Sequence, residues 1–228
     1  MPLYKSFGAL VTDIEGPVVE DRLFWAGLCR RAGPKVYDFM AQQVTRWKKG
    51  EIPYSELYLS VVGMVKGCGI APYDAEQVAL SVPYIERSGE FLHTAWKTFN
   101  GRLGAVSAGA DALVRRVAAD HSIGYHVSNP LLHYLGNGGA PVCLVDDTNK
   151  GHHLIGLCSR MGIDPRKTAV IGNSIEDFPK FEAAGISFLF APDDNTREAA
   201  RARFGNEVYI IENMKGEGLA TIGKFLGL

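Results

Sequence analysis

A short apolar segment lies near the start of the chain. In the second half, further short apolar segments alternate with segments of helical periodicity. Runs rich in Val, Ile, Leu and Phe predict buried strands, and apolar positions that recur every three to four residues predict helices between them. The predicted strands cover residues 8–12, 123–127, 142–145, 169–171, 187–190 and 208–211. The predicted helices cover residues 110–119, 151–161, 178–184 and 196–204. Because strands that alternate with helices form a parallel sheet covered on both faces, we expect an α/β fold.

Residues 20–99 differ from the rest of the chain because their periodicity is helical throughout. Apolar side chains recur at helical spacing from Val36 to Trp47 and again from Tyr54 to Val65. Shorter helices are predicted over residues 23–30, 74–80 and 91–96. Since the first strand belongs to the sheet, the helical block is an insertion after it. The predicted domains are an α/β core of residues 1–18 and 100–228, and an all-helical domain of residues 19–99.

Composition and charge narrow the classes of partner. The chain is 46% hydrophobic and 21% charged, and 24 Lys and Arg side chains face 25 Asp and Glu side chains, which gives a net charge of −1. We therefore expect no binding to nucleic acid or to a membrane surface. The four cysteines are widely spaced, the start of the chain lacks the pattern of a secretion signal, and no apolar run is long enough to span a bilayer. These features predict a cytoplasmic protein.

Polar side chains follow the predicted strands at the points where each strand ends. Asp13 and Glu15 follow the first strand. The polar residues at the later strand ends are Ser128, Asn129, Asp146, Asp147, Asn173, Glu176, Asp177, Asp193 and Asp194. Ligands of open parallel sheets bind beyond the carboxyl ends of the strands, so we expect these groups to converge. Oxygen ligands of this kind suit a hard cation such as Mg²⁺. Lys150 could supply a second positive charge there.

Four short motifs in this order resemble those of the haloacid dehalogenase superfamily of phosphatases. Asp13-Ile14-Glu15 stands in place of the Asp-x-Asp after the first strand, and Ser128 matches the Ser or Thr that closes the next core strand. Lys150 matches a Lys that opens a helix, and the segment from Gly172 to Asp177 keeps the spacing of Gly-Asp-x-x-x-Asp. The resemblance implies a Rossmann-like core, with the helical insertion as a cap of the phosphoserine phosphatase type.

The resemblance also implies roles for individual residues. Asp13 would attack phosphorus to form an aspartyl-phosphate, and Glu15 would donate a proton to the leaving group and later accept one from water. Lys150 and Mg²⁺ would offset the charge of the phosphate. Residues implied in substrate binding are Ser128, Asn129 and Gly16. The implied Mg²⁺ ligands are Asp13, Glu15, Asn173 and Asp177.

Two departures from the motifs affect the expected function. Glu15 is one methylene longer than the usual Asp, and Asn173 removes one negative charge from the metal site, which predicts weaker Mg²⁺ binding. Arg22 and Leu59 occupy the positions where phosphoserine phosphatases place substrate-binding Glu and Arg, so phosphoserine is not the expected substrate. The leading hypothesis is a Mg²⁺-dependent phosphomonoester hydrolase of a small phosphorylated metabolite. The alternatives are a metal-independent haloacid dehalogenase and a noncatalytic phosphate-binding or metabolite-binding protein.

Two further questions stay open at the level of the sequence. Asp146 and Asp147 either tune the site or cap the next segment. The aromatic residues of the helical block either fill its core or line a pocket; these are Trp25, Trp47, Tyr54 and Tyr58. The sequence predicts no oligomeric state.

Overall fold

A computed structural model describes residues 7–212 and 216–228, which form a six-stranded parallel sheet covered by helices on both faces. The strands are β1 (Ala9–Thr12), β2 (Leu103–Ala110), β3 (Tyr125–Asn129), β4 (Thr168–Gly172), β5 (Ile186–Phe190) and β6 (Val208–Ile211). Their order across the sheet is β3-β2-β1-β4-β5-β6, and every neighbouring pair is parallel. The predicted α/β class is confirmed. The order places β1 between β2 and β4, in the interior of the sheet.

Five helices separate β1 from β2, as the periodicity of that block predicts. They are α1 (Leu23–Ala32), α2 (Pro34–Lys48), α3 (Tyr54–Gly67), α4 (Pro72–Ser81) and α5 (Ser88–Thr98). The remaining helices are α6 (Asp111–His121), α7 (Leu131–Asn137), α8 (Lys150–Met161), α9 (Phe178–Ala183), α10 (Asp194–Phe204) and α11 (Gly216–Leu226). None of the helices in the described ranges has the length and apolarity needed to cross a membrane.

The helical insertion packs on the core mainly through two of its helices. Helices α1, α2 and α3 pack mainly against one another, whereas α4 packs on α6 and α7, and α5 packs on α11, β2 and α6. One apolar cluster runs without interruption from the insertion to one face of the sheet, and a second cluster covers the other face. The domain boundaries after residues 18 and 99 stay a prediction.

Strand β2 lies outside the predicted strands although all eight of its residues are buried. Its sequence contains Gly104, Ala105, Ala108 and Gly109, small residues that carry little strand propensity. Helices pack on both faces of the sheet, so β2 is buried although its own side chains contribute little apolar area. The position matters for function because β2, rather than β3, is the neighbour of β1.

The strand predicted over residues 142–145 is wrong. This segment is irregular, and the side chains of Val142 and Leu144 are exposed at its surface. The backbone N–H groups of Leu144 and Val145 donate to the side-chain oxygen of Asn129, at 2.6 and 2.8 Å. The segment therefore obtains its hydrogen bonds from a buried side chain instead of a neighbouring strand, and its apolar residues do not enter the sheet.

Candidate active site

A cavity of about 1180 Å³ lies between the carboxyl ends of the central strands and the helices α1, α2 and α3. Asp13, Glu15, Ser107 and Lys150 line its floor, and aromatic and aliphatic side chains of the three helices line the opposite wall. The structure thus brings together residues that are widely separated in the sequence, at the sheet edge where ligands of parallel α/β folds bind.

Asp13 directly follows β1, and its side chain is almost completely buried. Its backbone N–H donates to the carbonyl of Ile171 on β4, which continues the pairing of the two strands to this point. One carboxylate oxygen, Oδ1, accepts from the N–H of Ile14 at 2.6 Å, and Oδ2 accepts from Lys150 Nζ at 2.6 Å. The carboxylate is therefore fixed at the cavity floor.

Lys150 is the first residue of α8 and is buried among carboxylates. Its Nζ lies 2.6 Å from Asp13 Oδ2, 3.0 Å from Asp177 Oδ1 and 4.0 Å from Glu176 Oε2. Burial by itself lowers the pKa of an ammonium group, but the charges of Asp13 and Asp177 outweigh this effect and raise the pKa of Lys150. Lys150 is therefore a permanent positive charge in the site.

Asp177 organises the loop after β4. Its Oδ2 accepts the backbone N–H groups of Asn173 and Ser174, at 2.8 and 3.2 Å. A Cβ on Gly172 would stand 2.3 Å from Asp177 Cγ, so only glycine allows this carboxylate to fold back over the strand end. Burial raises the pKa of Asp177, but Lys150 and Lys180 overcome that effect and hold the pKa below its usual range.

Lys180 is a fully buried charged residue that the sequence analysis missed. Its Nζ lies 2.8 Å from Asp177 Oδ1 and 3.3 Å from the carbonyl oxygen of Ile171. The signal was its position on α9 between Phe178 and Phe181, three residues after Asp177, since helical residues three apart are neighbours. Asp177 is consequently held by two lysines.

Glu15 carries an unsatisfied carboxyl group into the cavity. Its Oε1 is buried and has no hydrogen-bond partner, and its Oε2 lies 2.7 Å from the position of a Cβ on Gly109. Burial, followed by the charges of Asp21, Asp13 and Glu176, raises the pKa of Glu15 to about 8. At neutral pH this carboxyl group is therefore mostly protonated, as a proton donor must be.

The backbone at Gly16 makes room for the side chain of Asn173. Gly16 has a φ of 100°, and a Cβ there would stand 2.2 Å from Asn173 Nδ2. Both residues line the cavity, as do Asp13, Glu15 and Lys150. Of the residues implied as metal ligands, only Asp177 is shielded from the cavity.

The structure does not bring Ser128 and Asn129 to the cavity, because they end β3 and β2 separates them from β1. The Asn129 amide nitrogen donates to the carbonyls of Ala108 and Val145, at 2.7 and 2.9 Å, so Asn129 anchors the irregular segment before α8. Ser107 on β2 lines the cavity instead. It lies where the pairing of β2 with β3 shifts register, just beyond its last pair with β1. Because β2 is not among the predicted strands, the sequence motifs point to Ser128, which ends the next predicted strand.

The other acidic residues that follow predicted strands have mainly structural contacts. Asp146 Oδ1 accepts the N–H groups of Thr148 and Asn149, at 2.8 and 3.0 Å, so Asp146 caps the turn before α8. Asp147 accepts from Trp47 Nε1 at 3.4 Å, a contact between the core and the helical insertion. Asp193, at the cavity rim, caps α10 through the N–H of Thr196.

The oxygen donors at the cavity floor fit a divalent cation. Within residues 7–212 and 216–228, no three Asp, Glu, His or Cys side chains form a ready metal cage, and the Lys150 ammonium lies between Asp13 and Asp177. Two buried lysines nevertheless face four carboxylates, those of Asp13, Glu15, Glu176 and Asp177. Burial, with Asp177 and Asp13, raises the pKa of Glu176 to about 7 even though Lys150 opposes this. A site rich in oxygen ligands, with an unpartnered buried oxygen and carboxyl groups that a bound cation would help to ionise, suits Mg²⁺.

Comparisons with known proteins agree with this geometry. No family model matches the chain. A curated phosphoglycolate phosphatase from Methanopyrus kandleri is 30% identical over 164 residues, which span 67% of this chain and 66% of that protein, just under two thirds. A phospho-aspartyl intermediate analogue of phosphoserine phosphatase has a TM-score of 0.73 at 16% identity, covering 95% of this chain and 98% of that one. A HAD family hydrolase from Salmonella enterica serovar Typhi has a TM-score of 0.74 at 17% identity, covering 96% and 70%. At such low identity, the two structures show a shared fold.

Proposed function

We propose that the chain belongs to the haloacid dehalogenase superfamily and that it is a Mg²⁺-dependent phosphatase of a small phosphorylated metabolite. One observation carries the proposal: the Asp13 carboxylate is fixed at the floor of a large cavity, 2.6 Å from a buried lysine that is itself held by Asp177. An oxygen nucleophile beside a permanent cation is the arrangement needed to attack a phosphate dianion.

In the proposed reaction, a carboxylate oxygen of Asp13 attacks phosphorus while the bond from phosphorus to the alcohol oxygen breaks. Glu15 gives its proton to the departing alkoxide, because its raised pKa keeps the carboxyl group protonated. The ionised Glu15 then accepts a proton from the water that hydrolyses the aspartyl-phosphate. The structural neighbour with a phospho-aspartyl intermediate analogue supports an intermediate of this kind.

Ser107 and Lys150 would bind the phosphate oxygens. Ser107 Oγ accepts from the N–H of Gly109 at 3.2 Å, which leaves its own hydroxyl proton free to be donated. It lines the same cavity floor as Asp13 and Lys150. We therefore transfer to Ser107 the phosphate-binding role that the sequence motifs assigned to Ser128.

Asp13 and Asn173 would hold Mg²⁺, whereas Glu15, the proton donor of the proposed reaction, would not bind it as a carboxylate, and Asp177 would contribute mainly its charge. Both oxygens of Asp177 already accept hydrogen bonds, Oδ1 from two lysines and Oδ2 from two backbone N–H groups. When bound, Mg²⁺ would neutralise phosphate charge as a Lewis acid. The amide oxygen of Asn173 can serve as a ligand, although it adds no negative charge.

Hydrolysis of p-nitrophenyl phosphate in the presence of Mg²⁺ tests the proposal. We expect Asp13→Asn to lower kcat by about 10³-fold or more, because the amide is a poor nucleophile. Asp38→Asn, an equivalent change on the exposed surface of α2, is the control and should retain activity. EDTA should stop turnover, and added Mg²⁺ should restore it.

Three outcomes would contradict the proposal. Undiminished turnover by Asp13→Asn would eliminate the nucleophile. Release of halide from a haloacid in the presence of EDTA would indicate the metal-independent dehalogenase. A folded wild-type protein that binds phosphate esters but hydrolyses none of them with Mg²⁺ or Mn²⁺ would indicate a noncatalytic binding protein.

A further inference from the structure

The cavity extends far beyond the space that a phosphate group needs. Its volume of about 1180 Å³ lies just above the roughly 300–1,000 Å³ of pockets that bind organic ligands of drug size. The wall opposite Asp13 is formed by uncharged side chains of α1, α2 and α3: Trp25, Met40, Val44, Trp47, Leu57 and Tyr58. The region beyond the phosphate is therefore predominantly apolar and aromatic.

Contacts between rings fix this aromatic wall. Trp25 meets Tyr58 edge to face with ring centroids 5.7 Å apart, and Trp47 meets Tyr54 edge to face at 5.8 Å. The Tyr54 hydroxyl donates to the carbonyl oxygen of Ala108 at 2.7 Å, which ties α3 to β2 beside the cavity floor. A preformed wall of rigid rings can bind an apolar group at a low cost in conformational entropy.

The charged side chains around the cavity disfavour a negatively charged leaving group. Besides the floor carboxylates, the described lining includes the acidic residues Glu20, Asp21, Glu86 and Asp193. Its two cations are Arg22 and Lys150. Arg22 Nε pairs with Asp21 at 3.0 Å on the exposed rim, and Lys150 is bound to Asp13. The wall formed by α1, α2 and α3 carries no cation within the described lining, so a carboxylate placed against it would be left unpaired.

We propose that the substrate of this site carries a bulky apolar or aromatic leaving group without negative charge. The inference rests on the proposed phosphatase function, for which Asp13 and Lys150 take the phosphate, and it assigns the helical wall to the alcohol part of the ester. It separates this chain from the curated relative that is named for phosphoglycolate, whose leaving group is a small carboxylate.

Three phosphate esters of primary alcohols test the inference, since their leaving groups have similar intrinsic reactivity. They are 2-phenylethyl phosphate, the same compound with a carboxylate on the ring, and phosphoglycolate. With Mg²⁺ present, we expect kcat/KM for 2-phenylethyl phosphate to exceed that of both carboxylated esters by at least about tenfold, because a buried unpaired charge is strongly rejected. Equal values, or a preference for either carboxylated ester, would overturn the inference while leaving the phosphatase function intact.

Binding provides a readout that does not depend on turnover. The same esters are titrated calorimetrically into Asp13→Asn, which removes the nucleophile. If the wild-type protein hydrolyses none of the esters but the variant binds 2-phenylethyl phosphate at least about tenfold more tightly than its carboxylated analogue, the wall's preference for an uncharged apolar group is supported and the phosphatase function fails. If the variant binds neither ester or prefers the carboxylated one, the inference fails.

Variants of the wall complete the test. Trp47→Leu should reduce the preference for 2-phenylethyl phosphate, whereas Trp96→Leu, the same change at an exposed site on α5 outside the cavity, should retain it. Met40→Lys places a cation in the wall and should lower the ratio of kcat/KM values for the uncharged and carboxylated esters by about tenfold. An unchanged ratio in folded Trp47→Leu and Met40→Lys proteins would exclude this wall as the leaving-group site.

Discussion

Lys150 and Lys180 share one carboxylate oxygen of Asp177, although each lysine has a different second contact. Lys150 reaches Asp13 at the cavity floor, whereas Lys180 reaches the carbonyl oxygen of Ile171 on β4. Asp177 compensates part of the charge of both, so neither ammonium is left alone in the interior. Lys180 lies outside the cavity lining and therefore acts on the site through Asp177.

Replacing Lys180 tests this positioning role. Lys180→Met keeps most of the side-chain volume but leaves Asp177 with one cation, so we expect the free energy of unfolding to fall by about 2 kcal/mol. Urea denaturation measures this change in the free energy of unfolding. Glu182→Gln, on the same helix, removes one partner of the exposed pair with Arg203 and should cost less than about 1 kcal/mol. A Lys180→Met protein as stable as the wild type would show that Lys150 alone satisfies Asp177.

Because Gly16 has no side chain, the side chain of Asn173 can lie directly against its backbone. In Gly16→Ala, the new Cβ would meet Asn173 Nδ2 at 2.2 Å, in a backbone conformation with φ of 100°. We expect a loss of about 2–4 kcal/mol in stability and weaker Mg²⁺ activation, because the Asn173 side chain must move. Gly50→Ala is the matched control: its φ is 72°, its Cβ meets no atom within 4 Å, and it should cost only about 1 kcal/mol. Equal losses for the two variants would exclude the clash.

At the scale of elements, the position of β2 decides which serine can reach the phosphate. The sequence motifs located Asp13, Lys150 and Asp177 because the elements beside them have a clear apolar pattern. Asp13 and Asp177 come after strands, and Lys150 begins a helix. The segment from Leu103 to Ala110 lacks that pattern, since its small side chains are buried by neighbouring helices and not by their own apolar area. Tertiary packing, which a local pattern does not contain, therefore determined the neighbour of β1.

Ser107→Ala and Ser128→Ala form a matched pair that tests this assignment. A hydroxyl that donates to a charged phosphate oxygen contributes about 1.5–3 kcal/mol, so we expect Ser107→Ala to lower kcat/KM about 10- to 100-fold. Ser128→Ala, one strand further from Asp13, should leave kcat/KM within about twofold. The pair is compared by steady-state kinetics on p-nitrophenyl phosphate. A larger loss in Ser128→Ala would restore the role that the sequence motifs implied.

At the scale of the whole molecule, the sequence predicted the architecture better than the contacts between its parts. Periodicity located the helical insertion and the parallel sheet, and the motifs located most of the cavity floor. The contacts across the cavity, such as that of Trp47 with Asp147, join residues about one hundred positions apart in the chain. Such contacts depend on how the helices sit on the sheet, so only the structure answers whether the aromatic residues line the cavity.

His121 lies where the helical insertion meets the core. Its ring packs edge to face against Tyr84, with centroids 4.8 Å apart, and its Nε2 is buried without a hydrogen-bond partner. A Cβ on Gly89 at the start of α5 would stand 3.1 Å from its Cε1. Burial lowers the pKa of His121 below its ordinary value of 6.5, although Asp120 opposes the effect. The interface therefore favours the neutral imidazole.

Acidification should weaken this interface. Between the lowered pKa of folded His121 and the value of 6.5 for an exposed histidine, the unfolded chain binds more protons, so the free energy of unfolding falls as the pH falls. His121→Phe keeps a ring against Tyr84 and removes the titration. We expect the variant to gain stability relative to the wild-type protein between pH 7.5 and pH 5, roughly the window around that pKa. Urea denaturation of both proteins at each pH isolates the effect, because packing changes that do not depend on pH cancel. A stability difference that is the same at both pH values would show that His121 takes up its proton equally well in the folded protein.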